Sequence, residues 1–167
     1  MNDESEVSSK FLAPLGPYLE AFAEADQTTR AGLLSQCMTP DAQIWGPKRV
    51  FSGYAEISEK IDGFHRNWPG CRLVVIGGIN SFNNAARIGS AIVGVDGSVL
   101  ATGESIIELA QDGRICRVLP FWEAPLSLPE SWPRHLAVAE SSFRQPVAAL
   151  PSSSTKPENQ SSLARWV

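Results

Sequence analysis

The sequence predicts an α+β domain in which three N-terminal helices pack on a bent antiparallel sheet. Three observations predict it. Up to Trp68 the apolar residues recur at the helical period, most clearly in Ile57, Ile61, Phe64 and Trp68. From Cys71 onward the period becomes that of strands, organised around the stretch Gly103 to Trp122, two runs joined by Gln111-Asp112-Gly113. Gly77, Gly78, Gly89, Gly94 and Gly103 fall inside these strands, which points to bulges and strong bending rather than a flat sheet.

The elements follow in order. Residues 1–13 read as a frayed lead, with 1–10 outside the domain. Gly16-Pro17 opens a first helix, since proline suits the first helical position. Tyr18, Leu19 and Phe22 share one face of it. Thr28 or Thr29 caps a second helix that turns Leu33, Leu34 and Cys37 inward, and Thr39-Pro40-Asp41 ends it. Ala42 to Trp45 is a short strand, Gly46-Pro47 a turn, and Arg49 to Phe51 the return. Ser52-Gly53 opens the third helix, which Trp68-Pro69-Gly70 stops. Arg72 to Phe82, Ala85 to Val95, Ser98 to Leu109 and Arg114 to Trp122 form an antiparallel meander. Asn83-Asn84 and a type I′ Asp96-Gly97 turn join its first strands.

Composition changes after Glu123. All 13 glycines precede that point, and six of the 12 prolines follow it. Residues 124–150 are expected to be a proline-containing extension, with a short helix over Leu136 to Phe143. Residues 151–167 have a disordered composition.

The 167 residues carry a net charge of -4 and no basic stripe, so nucleic acid is not an expected partner. No apolar run is long enough to span a membrane, and the polar start MNDESEVSSK lacks a signal-peptide core. A cytoplasmic setting is expected. Cys37, Cys71 and Cys116 lack metal or disulfide spacing and read as reduced, buried thiols. No cofactor fingerprint is present.

Laid out this way, the chain resembles the nuclear transport factor 2-like superfamily, within it the SnoaL-like and ketosteroid-isomerase-like branch. The carrying residues are Tyr18 eight before Asp26, Thr39-Pro40-Asp41-Ala42, Gly46-Pro47 and Ser52-Gly53. Phe64-His65, Trp68-Pro69-Gly70, Asp112-Gly113-Arg114-Ile115 and Phe121-Trp122 complete the set, over about residues 11–123. The resemblance implies a cone: a curved sheet wrapped around three helices, with an apolar cavity at its wide end. It also implies a homodimer and a small-molecule function.

Ketosteroid isomerases use a tyrosine on helix one as donor to a developing oxyanion, and Tyr18 stands there. They place a base aspartate just before the proline after strand one, where this chain has Gly46. A second, protonated aspartate corresponds to Ser105, and a pocket aromatic on the last strand to Trp122. The donor is kept and both carboxylates are lost.

Each candidate has two readings. Tyr18 is either a core tyrosine with a satisfied hydroxyl or a donor to a bound carbonyl. His65 is either a helix-end histidine or a general acid or base at the cavity mouth. Ser90 is expected to face the cavity beside Gly89 and Ala91, making it roomy. Ser105 reads as a polar pocket contact; if it faces the cavity, Glu104 faces the outer surface, though a bulge at Gly103 would exchange the two, and Arg87 is expected to face away. His135 carries little signal.

These expectations converge on a cofactor-free, metal-free SnoaL-like isomerase, cyclase or dehydratase acting on a polyketide-, terpenoid- or steroid-like substrate. Tyr18 and His65 would be catalytic, and Gly46, Ser90, Ser105 and Trp122 substrate-binding. The alternative is a non-catalytic ligand-binding or dimerisation module on the same scaffold. A protein-transport adaptor is a third, weaker reading.

Overall fold

A computed structural model describes residues 3–122, with side chains from residue 9. Three helices, α1 Asp3–Ala23, α2 Gln27–Cys37 and α3 Gly53–Asn67, accompany six strands. These are β1 Met38–Trp45, β2 Val50–Ser52, β3 Arg72–Phe82, β4 Ala85–Val93, β5 Val99–Leu109 and β6 Ile115–Phe121. The strands form one open sheet in the order β2-β1-β6-β5-β4-β3. The expected extension, tail, Leu136–Phe143 helix and His135 lie outside the described residues.

The first helix starts well before Gly16-Pro17. Residues 3–13 are helix rather than a frayed lead, and Pro14 and Pro17 lie inside it. Each interior proline removes a hydrogen bond at a cost of about 3 kcal/mol. Phe11, Leu15, Tyr18 and Phe22 recur at helical spacing, all buried. Burying each gains about 1.5–3 kcal/mol, so packing outweighs the prolines.

Asp26, not Thr28 or Thr29, caps α2: its Oδ1 accepts from Thr29 N and from Thr29 Oγ1, both at 2.8 Å. The helix then passes directly into β1 at Met38, so Thr39-Pro40-Asp41 belongs to a strand. The β1–β2 return through Gly46-Pro47 forms as expected, closed by Gly46 N donating to Arg49 O at 2.9 Å.

The meander β3-β4-β5-β6 is antiparallel, but β6 then pairs in parallel with β1. The sheet is therefore mixed, because the hydrophobic pattern of a strand does not encode the direction of a distant neighbour. At Gly77-Gly78 β3 carries two extra residues between partners of Gly89 and Ile88. Gly77 takes φ +74, open to glycine. Two added residues preserve the alternation, so Val75 and Ile79 both still pack on the core.

The Asp96-Gly97 turn is not type I′. Only Gly97 has positive φ, and Gly94 N also pairs with Ser98 O at 2.9 Å. That is the longer loop in which a glycine follows an ordinary turn. Gln111-Asp112-Gly113 closes β5–β6 in the same way, with Gly113 at φ +83.

The core lies between the helices and one sheet face. Leu34, Ile57 and Ile61 from the helices meet Ile44, Ile107, Ile115 and Val118 from the sheet, all essentially inaccessible. No described helix is long and apolar enough to cross a membrane.

Candidate functional site

One end of this packed layer opens into a cavity of about 510 Å³, a size typical of pockets for small organic molecules. Strand alternation builds its wall. Ile88, Ser90 and Ile92 project from β4 at every second residue, and Ala101 and Ser105 do so from β5. Ser105 sits between Ile88 on one neighbouring strand and Pro120 on the other, and both line the cavity with it. From the helices, Tyr18, Leu19 and Phe22 enter on α1 and Phe64 on α3. The Tyr18 and Phe22 rings stand 5.2 Å apart, and Phe22 meets Phe64 edge-on at 5.8 Å.

Three hydroxyls interrupt this apolar lining. Tyr18, Ser90 and Ser105 are each at least nine-tenths buried. None has a hydrogen-bond partner among the described residues. Burial pushes the Tyr18 phenol well above its ordinary value, with the Cys37 thiol adding to the shift, so Tyr18 remains a donor at any physiological pH.

Trp122 lies across the β5 edge at Gly103. A Cβ on Gly103 would come within 2.4 Å of Phe121 O and 2.9 Å of Trp122 Cε3, so this close approach depends on glycine. Trp122 then contributes to the cavity wall and remains about one-third exposed.

Two expected site residues are elsewhere. His65 does not line the cavity; its Nε2 lies 2.8 Å from Phe22 O. A carbonyl only accepts, so Nε2 carries the proton and donates to the end of α1. The reason is helical phase. Ser58, Asp62 and His65 share the α3 face turned to the α1–α2 junction, one step away from the cavity stripe. Gly46 is also outside the lining. A Cβ there would meet Arg49 O at 3.1 Å and the Phe51 ring at 3.2 Å, so the position is packed beneath Phe51.

The structure adds charged residues that the sequence reading passed over. Arg49 in the β1–β2 return, and Glu59, Lys60 and Arg66 on α3, also line the cavity. Arg49 Nη2 pairs with Glu59 Oε2 at 2.7 Å, and its guanidinium lies 4.2 Å from the Phe51 ring centre. Lys60 Nζ lies 5.0 Å from the same ring. A signal for Lys60 was available: it stands four before Phe64 and eight before Trp68, on the stripe that lines the cavity. The described residues bring together no group of three or more His, Cys, Asp or Glu side chains.

No family sequence model matches the chain, and neither does any curated protein sequence. Solved structures do match. A SnoaL-like family protein from Agrobacterium tumefaciens, named as a proposed isomerase, is 26% identical with a TM-score of 0.63. The match covers 70% of this chain and 99% of that one. A proposed SnoaL-like polyketide cyclase from Jannaschia is 13% identical over 74% of this chain and 92% of its own, with a TM-score of 0.59. An NTF2-like protein of unknown function from Exiguobacterium is 17% identical over 67% and 99%, with a TM-score of 0.52. Helix order, strand order and structural neighbours agree: the chain has the NTF2-like fold and is similar to SnoaL-like proteins.

Proposed function

We propose that the domain binds an apolar small molecule and grips an oxygen of it, a carbonyl or hydroxyl, with the hydroxyls of Tyr18, Ser90 and Ser105. One observation carries this reading: three hydroxyls line a single apolar cavity with no partner among the described residues. Their oxygens are not sealed off, since the enclosed unpaired side-chain oxygen among the described residues is Thr39 Oγ1, so they open to the cavity and are available to a ligand or to water. The surrounding Phe22, Ile88, Ile92 and Trp122 supply the apolar contact.

Isomerase or cyclase chemistry on a polyketide-, terpenoid- or steroid-like compound is the second reading, favoured by Tyr18. A protonated, buried phenol is a suitable donor to a developing oxyanion. His65 is not placed to serve as its base, because it stands outside the cavity lining with its ring held against Phe22 O. Gly46 offers no side chain, so isomerisation of Δ5-3-ketosteroids is not expected. The geometry thus favours binding over catalysis.

Extraction and mass spectrometry of compounds that co-purify with the protein test the binding reading. An apolar, oxygen-bearing compound should be retained. Tyr18→Phe or Ser105→Ala should weaken it by up to about tenfold, as for the loss of one hydrogen bond. A cavity-filling Ser90→Phe variant that retains the same compounds at the same occupancy would refute it.

The proposal includes a homodimer through the outward sheet face that carries Arg87, Thr102, Glu104, Ile106 and Glu108. Arg87 and Glu104 pair there at 3.0 Å, on the face opposite the cavity. A monomer in light scattering at micromolar concentration would contradict it. The free thiols of Cys37, Cys71 and Cys116 are in keeping with a reducing, cytoplasmic setting.

A further inference from the structure

The charged part of the cavity lining is unbalanced. Arg49, Lys60 and Arg66 are cations, and Glu59 is the single carboxylate among the lining residues. This gives a surplus of two positive charges on a chain whose formal charge is -4. The surplus is not spread evenly. Arg49 is neutralised by Glu59 at 2.7 Å, on the exposed side. Arg66 is exposed and has Asp62 as an electrostatic neighbour. Lys60 is different. Its side chain is partly buried, and its ammonium stands over the Phe51 ring. It has no hydrogen bond or ion pair among the described residues. An ammonium group beside an aromatic face retains some favourable interaction, but far less than a carboxylate would provide.

We infer that the ligand of this cavity is an amphipathic organic acid, whose carboxylate pairs with Lys60 while its apolar body fills the space between α1 and the β4–β5 wall. The inference rests on the binding reading above and specifies its ligand class. Lys60, Phe64 and Trp68 lie on one face of α3, so the cation and the apolar surface belong to the same opening. Phe51 supports the arrangement from the other side, with Arg49 and Lys60 both against its ring. Arg66, exposed beside the opening, adds to the positive potential that an approaching anion meets. Burial lowers the Lys60 pKa. A bound carboxylate would oppose that shift by favouring the charged form. A neutral ligand of the same shape would leave Lys60 as it is.

Octanoate and n-octanol separate the two cases, because they share an apolar chain and differ in charge. Isothermal titration of the full chain should find octanoate bound about tenfold or more tightly than n-octanol, the scale of one charge-assisted contact. Lys60→Met should abolish the preference while leaving n-octanol binding in place, which also reports that the variant is folded. Lys60→Arg should retain it. Added salt should weaken octanoate and leave n-octanol unchanged. If n-octanol binds as tightly as octanoate, the organic-acid inference fails and the binding reading stands. If Lys60→Met retains the preference, the inference fails as well. If neither compound binds, both readings fall. Should Lys60→Met not fold, Lys60→Arg together with the salt titration of the parent decides.

Discussion

Arg30 Nη1 lies 2.6 Å from Asp62 Oδ1, joining α2 to α3. Arg30 is fully buried and donates four further hydrogen bonds, to Glu24 O, Ala25 O, Ser58 O and Ser58 Oγ. The first two carbonyls lie just beyond the end of α1, where a cation also complements the helix dipole. Arg30 thus fastens all three helices at one point. Arg30→Met should cost roughly 3 kcal/mol or more, because it leaves a partly buried carboxylate and several carbonyls without their donor. Asp62→Asn should cost less, since Asp62 is nearer the solvent. Urea unfolding of the two variants checks the order, and equal midpoints would refute it.

Acid should unfold the protein by a defined route. Hydrogen bonds hold four aspartates below the ordinary carboxylate range: from Thr29 to Asp26, Arg30 to Asp62, Ser98 to Asp96 and Arg114 to Asp112. A carboxylate depressed in the folded state stabilises it above the unfolded pKa. That stability is lost as pH falls through the folded value. The melting temperature should therefore hold steady down to about pH 4 and fall below it. Asp62→Asn should flatten the fall. An unchanged melting temperature at about pH 3 would rule this out.

The three thiols should react in sequence. Cys37 is fully buried, and burial pushes its pKa up to about 12. Burial raises Cys116 too; both are partly buried, but the Cys71 sulfur contact lies at the exposed surface and the Cys116 one does not. Reaction rates follow thiolate content and access. Cys71 should be modified first by a thiol reagent, Cys116 more slowly, and Cys37 only after unfolding. Labelling followed by mass spectrometry reads this, and early modification of Cys37 would contradict the packing.

Gly103→Ala should disturb the cavity without touching it. The new methyl would collide with Phe121 O and Trp122 Cε3. Relief requires the end of β6 to move, at a cost of about 1–3 kcal/mol typical of overpacking. Trp122 fluorescence should shift with it. A variant with parental melting temperature and emission would show that the last strand yields freely.

Much of this architecture was legible in the residues. The stripe Ile57, Ile61, Phe64 and Trp68 located α3, and the glycine turns located the meander. Ser90, Ser105 and Glu104 fell on the expected faces because strand alternation is a local property. What escaped was set by distant packing. The start of α1 was hidden because Gly16-Pro17 reads as a helix opening, and only burial of Phe11 and Leu15 carries the helix back through both prolines. Lys60 and Arg49 were passed over because it is the β1–β2 return that brings Phe51 against both. His65 depended on a rotation of one residue around α3, finer than its position in a motif can specify.

The parallel pairing of β1 with β6 has a consequence for the order of folding. Met38 meets Ile115 and Ile44 meets Val118, contacts between segments far apart in the chain. The hairpins from β3 to β6 close over short loops and can form early, whereas β1 must wait for the final strand. During synthesis the α1–α2 pair and the β1–β2 return would emerge first and remain without their sheet neighbour until β6 leaves the ribosome. Ile44 and Met38, completely enclosed in the finished domain, would be exposed throughout that interval. The seam between first and last strands is then where a nascent chain is most open to pairing with another copy.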